Sequence, residues 1–322
     1  MISKQPTSPS LLSAQQIWDV APHNGMTDLI YFKYRWFCVF REGKTHAGEG
    51  NGIIRLLTSQ EAIMWHSAAT FMVDGVDLRD PKLSITPTGQ LMLLVDGTKL
   101  DSKDKYVSLQ CLVAFSDDGM EWTSFTPILK PHDWLWRVTW FQGMAYGAAY
   151  SRSDPKDVKK EWNIHLYQSR DGISWGLVTQ WDLNGYPNET TLRFLKNGQM
   201  LALVRRDKRH DNHAVLGLSD PPYVEWEWHS LDAYVGGPNF LILPDDSMWI
   251  AGRMLLPSPY GYAEKTFVGT FDFGHIKRKL VLPSGGDCSY PGMVYHDGLL
   301  WISYYSSHEN NKAAIFLARI AI

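Results

Sequence analysis

A short apolar run recurs six times along this 322-residue chain, each time shortly after a tight turn and just before a charged or phenolic residue. The runs are RWFCVF before Arg41, LMLLV before Asp96, MAYGAA before Tyr150, QMLALV before Arg205, SMWIAG before Arg253 and LLWISY before Tyr305. Runs this short, bounded by turn residues, read as buried strands. A further strand-like segment follows each of them: GIIRLLTS, SLQCLVAFS, NIHLYQS, AVLGLS, TFVGTF and AAIFLARI. Consecutive copies stand roughly 50 residues apart, the period of a propeller blade. No segment of convincing length has helical periodicity. The expected fold is all-β, a six-bladed β-propeller of four-stranded antiparallel blades. It spans residues 23–322 after a polar N-terminal lead, 1–22, and the last strand, 313–322, is expected to close the ring against the first blade. Closure removes the open sheet edge that invites aggregation.

The clearest copy is NETTLRFLKNGQMLALVRRD, residues 188–207. Residues 190–195 and 200–204 read as two strands, and Asn197-Gly198 predicts a type I′ turn between them. Folding about that turn sets Glu189 beside Arg205. Two of the later strands run into the form S-x-D-G-x-x-W, at Ser116–Trp122 and Ser169–Trp175. Weaker copies are Ser59-Gln60-Glu61 leading to Trp65, and Ser219-Asp220 leading to Trp226. The chemistry is that of a turn. Ser and Asp side chains bond nearby backbone N–H groups, Gly takes the left-handed conformation, and Trp packs the turn onto its sheet.

Aligned on their turns, the six hairpins place Arg41, Asp96, Tyr150, Arg205, Arg253 and Tyr305 at one register position. In a propeller such positions form a ring at one end of the axis. Arg41, Arg205 and Arg253, from blades one, four and five, then direct three guanidinium groups at one place, which calls for an anion there. The first strands are antiparallel to the second and begin at the same end, where Asp80, Glu189 and Tyr290 stand. Gly236-Gly237-Pro238 and Gly285-Gly286-Asp287 enter the fifth and sixth blades there, and glycine lets a ligand approach the backbone. His46 and His308 follow second-strand ends and are candidates for the cleft rim. Trp134 and Trp136, just before Arg137, read as core rather than as a sugar platform.

The S-x-D-G-x-x-W turns resemble the Asp-boxes of sialidases, and with the blade positions above the chain resembles the sialidase (neuraminidase) superfamily. The resemblance covers essentially everything after the lead. One departure is that the family's first arginine usually sits in Phe-Arg-Ile-Pro, whereas here Phe40-Arg41 precedes Glu42-Gly43. It implies that Arg41, Arg205 and Arg253 hold a substrate carboxylate, that Asp80 is the acid/base, and that Glu189 and Tyr290 are the nucleophile pair. Asp74, Asp77 and Glu42 stay open as alternatives for the acid. Guanidinium suits a carboxylate through forked, charge-assisted hydrogen bonds. A phenol relieved of its proton by Glu189 avoids the repulsion a carboxylate nucleophile would meet from an anionic sugar. The implied activity is a retaining exo-glycosidase that removes a terminal sialic acid or related 2-keto acid sugar from a glycan. Two other readings are an inverting furanosidase using Asp28, Asp80 and Glu189, and a non-catalytic carbohydrate-binding propeller.

Bulk properties exclude several classes. A net charge of −3 leaves no basic footprint for nucleic acid. No run of about 18 apolar residues predicts a membrane span. Cys38, Cys111 and Cys288 are scattered, with no disulfide or metal spacing, and the 11 histidines show no ligand motif. No cofactor or metal is expected. The N-terminal segment lacks the apolar core of a secretory signal, so a cytoplasmic location is the default expectation.

Overall fold

Each apolar run becomes the second strand of a four-stranded antiparallel sheet, and six such sheets follow one another in a computed structural model. It describes residues 8–48, 52–101, 103, 105–152, 162–208 and 210–322. The first strands, His23–Phe32, Asp77–Ile85, Trp134–Phe141, Pro187–Phe194, Gly236–Ile242 and Cys288–His296, touch one another in a ring around the axis. The second strands are buried on both faces, because each blade packs against the next. That is why they read as continuous rather than alternating apolar runs. The seam between blades one and two is typical: Phe37, Val39, Ile54 and Leu56 pack on Leu78, Leu83, Leu91 and Leu93. No helix occurs among the described residues, so none is long and apolar enough to cross a membrane.

Ring closure differs from the expectation. Residues Ser10–Trp18, read as part of a polar lead, form a strand paired antiparallel with Ala314–Ala321. They supply the outer strand of blade six, so the two ends of the chain meet within one blade. The C-terminal strand does not close on blade one, to which a single parallel bridge, His23 to Ala313, connects it. An outer strand is half exposed, and SLLSAQQIW carries correspondingly little apolar signal.

The turn at Asn197-Gly198 also differs. Gly198 N donates to Leu195 O (2.9 Å) and Leu195 N to Gln199 O (2.9 Å). Within the turn only Gly198 has positive φ, at 90°. This is a three-residue loop, a type I turn followed by a left-handed residue, not the two-residue type I′ form. Blades two and five repeat it with Gly89 (φ 80°) and Asp246 (φ 66°). Blades one, three and six do use paired positive φ, at Lys33-Tyr34, Gln142-Gly143 and Asp297-Gly298. Asn-Gly satisfies either turn, since both need a left-handed residue at the glycine.

The S-x-D-G-x-x-W segments fold as local turns. Ser116 Oγ accepts from Gly119 N (2.7 Å), Asp118 Oδ1 from Met120 N (2.7 Å), and Trp122 Nε1 donates to Gly119 O (3.1 Å). The Ser169–Trp175 copy repeats these bonds at 2.8, 2.8 and 3.0 Å. Backbone N–H groups from Ser174 and Ile173 hold the Asp171 carboxyl at about 2. These turns lie where second strands begin, as the pairing of Ser169 with Ala145 shows, and therefore at the end opposite Arg205 and its equivalents.

Candidate active site

All six first strands slip register near their starts, between Gly25 and Asp28, Arg79 and Lys82, Leu135 and Val138, Pro187 and Thr190, Gly236 and Asn239, and Ser289 and Gly292. At each slip two residues oppose one. Such bulges bend a strand and re-aim a side chain. Asp80, Glu189 and Tyr290 all lie inside them. Asp80 and Tyr290 have φ of 46° and 51°, a region in which a residue with a side chain is uncommon and which clusters at functional sites. Asp80, Gly237 and Tyr290 each precede a proline. Having no N–H, proline fits where the ladder is broken.

The bulges bring Glu189 and Tyr290, 101 residues apart, into direct contact: the Tyr290 hydroxyl donates to Glu189 Oε1 at 2.6 Å. Arg205 Nη1 lies 2.8 Å from Glu189 Oε2 and 3.0 Å from the same phenolic oxygen. Gly237 N donates to Glu189 Oε2 at 2.8 Å. Burial works to raise the Glu189 pKa, but the Arg205 charge and these hydrogen bonds hold it below its ordinary value. Burial, then the Glu189 charge, pushes the Tyr290 phenol well up. The resting pair is a carboxylate base holding the proton of a neutral phenol. Arg253 stands over the Tyr290 ring, 5.7 Å from its centroid. Among the described residues its carboxylate partner is Glu264, distant at 3.4 Å, and its buried Nε has no partner. Gly237 (φ 56°) packs so closely on Tyr290 that a β-carbon would lie 2.9 Å from the ring. Trp136 meets the same ring edge-on at 5.6 Å.

Asp80 is buried, and its Oδ1 has no hydrogen-bond partner. Burial raises its pKa; the Glu189 charge adds to this, while Lys82, Arg79 and His46 oppose it. Lys82 is itself buried, with Nζ 4.5 Å from the Trp136 ring centre, and burial lowers its pKa against the pull of Asp80. Lys82 was not among the candidate site residues, because nothing in its type or spacing sets it apart in the sequence. A raised carboxyl pKa means the folded state prefers Asp80 protonated. The associated stability is present below the unfolded-state pKa near 3.8 and is lost as pH rises through the folded value. Asp80→Asn is therefore expected to be more stable than wild type above that range. If Asp80 is the acid, the variant also loses roughly 10²–10⁴-fold in turnover of substrates with poor leaving groups. Urea unfolding at pH 4 and pH 7, alongside rate measurements, checks both.

The expected convergence of three arginines is not found. Arg205 and Arg253 flank Tyr290, but Arg41 is closed on Asp77, both side chains being 1% exposed. Arg41 Nε and Nη2 lie 2.8 and 2.7 Å from Asp77 Oδ1, and Nη1 donates to Thr45 O at 2.8 Å. The cause is Gly52, whose missing side chain lets a backbone segment cover the guanidinium. Asp77 also accepts from Gly52 N and Arg79 Nε, so both of its oxygens are engaged by donors and neither faces an open space. Glu42 is taken by Arg55 and by Trp18 Nε1 (2.6 Å). Asp74 is exposed in the turn before blade two. Asp28, the third carboxylate of the furanosidase reading, is paired with Arg137 at 3.0 and 2.8 Å and accepts from Leu83 N. Of these carboxylates, Asp80 alone keeps a buried, unpartnered oxygen.

Beside this centre lies a cavity of about 220 Å³ lined by Tyr106, His132, Trp134, Tyr150 and Trp162. Trp134, Tyr150 and Trp162 stack with interplanar angles of 10° and 1°. Tyr150, the ring residue of blade three, has its pKa raised by burial first and then by Glu189 and Asp80, so it adjoins the acidic centre. The two tryptophans beside Arg137 thus differ: Trp136 is core, as read, whereas Trp134 lines a cavity. His46 meets His23 and Asp287 at the blade one–six seam, and His308 packs on Phe316.

No family model and no curated protein matches the sequence. Solved structures do match in shape. A protein of unknown function from Dyadobacter fermentans superposes with a TM-score of 0.84 at 16% identity, over 99% of this chain and 100% of its own. The α-L-arabinofuranosidase of Fusarium graminearum in complex with arabinobiose gives 0.71 at 13%, over 96% and 97%. Trypanosoma rangeli sialidase in complex with sialic acid gives 0.69 at 11%, over 97% of this chain and 59% of that one. The fold is that of the propeller glycosidases. Identities this low carry the architecture and no more.

Proposed function

We propose that the chain is a retaining propeller glycosidase acting on a terminal acidic sugar, of the sialic or related 2-keto acid class, in a glycan. The observation that carries this reading is the 2.6 Å hydrogen bond from the Tyr290 phenol to Glu189, with Arg205 on both partners. In the first step Glu189 takes the phenolic proton as Tyr290 Oη attacks the anomeric carbon. Asp80, whose pKa burial raises, gives its proton to the departing glycosidic oxygen. In the second step the Asp80 carboxylate takes a proton from water. The resulting hydroxyl replaces Tyr290 at the anomeric carbon, and the phenol recovers its proton from Glu189. Arg205 and Arg253 hold the sugar carboxylate, and the aromatic cavity takes an apolar face of the substrate.

The closure of Arg41 on Asp77 favours a second reading, a neutral furanoside, because two partly buried guanidinium groups, Arg205 and Arg253, rather than three remain for an anion. Aryl sialosides and aryl arabinofuranosides, assayed side by side, separate the two. The proposal expects sialoside turnover at least about 10²-fold faster, and Tyr290→Phe to reduce it roughly 10³-fold or more. Preference for the arabinofuranoside replaces it with the second reading. Saturable calorimetric binding of free sialic acid with no turnover of either replaces it with a carbohydrate-binding propeller.

A further inference from the structure

We propose that His23, His46 and Asp287 form a binding site for a divalent first-row transition cation of the zinc class, at the seam where blade six meets blade one. The three residues come from the start of blade one, the loop after its second strand, and the turn entering blade six. Nothing in their sequence spacing announces them. His23 Nε2 and His46 Nδ1 each lie 2.8 Å from the same oxygen, Asp287 Oδ2. All three candidate ligand atoms fall within 4.8 Å of one another. The two imidazole rings stand nearly perpendicular, at 81°, so both nitrogens address one point rather than stacking past each other.

The donor set selects the cation. Two imidazoles and one carboxylate suit zinc, cobalt or nickel, whereas calcium and magnesium prefer oxygen alone. Three protein donors leave a fourth tetrahedral position for water or another ligand. With bonds near 2.0 Å the donors need to stand roughly 3.3 Å apart, so the 2.8 Å separations must open by about half an ångström. His46 can make that move, since its side chain is 46% exposed. The carboxylate is already oriented, because the Tyr305 hydroxyl donates to its other oxygen, Oδ1, at 2.6 Å. Support for a ligand from a second layer of this kind raises metal affinity. The His23 ring has no such support, its Nδ1 being buried without a partner, and this places the expected affinity in the micromolar range rather than tighter. The cation would tie the first blade to the last, where backbone bonding is limited to a few contacts. The inference is independent of the glycosidase reading.

The test uses the full chain stripped of metal, titrated calorimetrically with Zn²⁺ alone and spectroscopically with Co²⁺ alone. The expected results are one equivalent bound, visible absorption bands from Co²⁺ held by nitrogen, and a thermal midpoint raised by roughly 3–6 °C in excess Zn²⁺. His46→Ala, at a half-exposed position outside the core, is expected to weaken Zn²⁺ binding at least 30-fold. Asp287→Asn, checked for folding by circular dichroism, is expected to do the same. Absence of binding at 0.1 mM Zn²⁺ overturns the proposal and leaves a hydrogen-bonded His–Asp–His cluster. Unchanged binding in His46→Ala also overturns it, by assigning the metal to other histidines.

Discussion

Replacing Glu189 by glutamine is expected to reduce turnover by about 10²–10⁴-fold while leaving a folded protein. Glutamine keeps the shape and an oxygen for Gly237 N and Arg205, but it cannot accept the phenolic proton. The Tyr290 pKa lies well above its ordinary value because of burial and the neighbouring negative charge, so the phenol has no other route to its reactive form. Stability also falls, because Arg205 loses the partner at 2.8 Å. Removing one member of a buried ion pair outright costs about 3–5 kcal/mol. Asp207 remains at 3.0 Å from Arg205 Nε, and the amide still accepts a hydrogen bond, so a loss of about 2 kcal/mol is expected. The pH dependence has a definite sign. The folded-state pKa of Glu189 is lowered, so its contribution is fully present above 4.5 and is lost as pH falls through the folded value. The stability gap between wild type and Glu189→Gln therefore narrows on acidification below that point. Rates at neutral pH and urea midpoints between pH 3 and pH 7 check the set. Full activity in Glu189→Gln would remove the carboxylate–phenol pair from the mechanism.

The largest loss of stability is expected from Asp77→Asn, a residue the sequence presented as a possible acid. Asp77 receives Arg41, Arg79 and Gly52 N, and is 1% exposed. Without that charge Arg41 loses its counter-ion and keeps only neutral acceptors, the amide oxygen and the Thr45 carbonyl. An uncompensated charge at such depth costs about 3–5 kcal/mol. A paired Arg41→Met and Asp77→Leu variant is expected to recover most of that loss, since apolar residues of similar volume replace buried ion pairs at little cost. Thermal and urea denaturation measure both. A change under about 1 kcal/mol in Asp77→Asn would mean that Arg41 opens readily from its pocket, and it would return this arginine to the group that meets substrate.

The contrast between Arg41 and Arg205 explains how far the chain could be read in advance. Both stand at the same register position, and the hairpin arithmetic that placed Arg205 beside Glu189 was correct because those two residues lie on paired strands. Arg41 was assigned to the axis by the same arithmetic. Its fate depends on Gly52 and Asp77, one on a segment crossing the guanidinium and the other on the next blade. Such contacts between non-paired segments leave no periodic trace. Tyr290 and Asp80 were found at first-strand starts. The register slips that aim them were not foreseen, although the prolines at 81, 238 and 291 mark three of those slips.

By itself the sequence determined the six-fold repeat, the all-β architecture and the end of the axis at which polar residues collect. Each of these follows from local periodicity: apolar runs buried on both faces, turn residues between them, and a common count from turn to strand end. Tertiary structure alone decided which charges are free to act. Whether a carboxylate is an acid or half of a sealed ion pair depends on what the neighbouring blade places within 3 Å of it, and that neighbour lies tens to hundreds of residues away. The same holds for the last strand of the ring: Ser10–Trp18 has little apolar signal of its own and becomes a strand because Ala314–Ala321 offers it an unpaired edge.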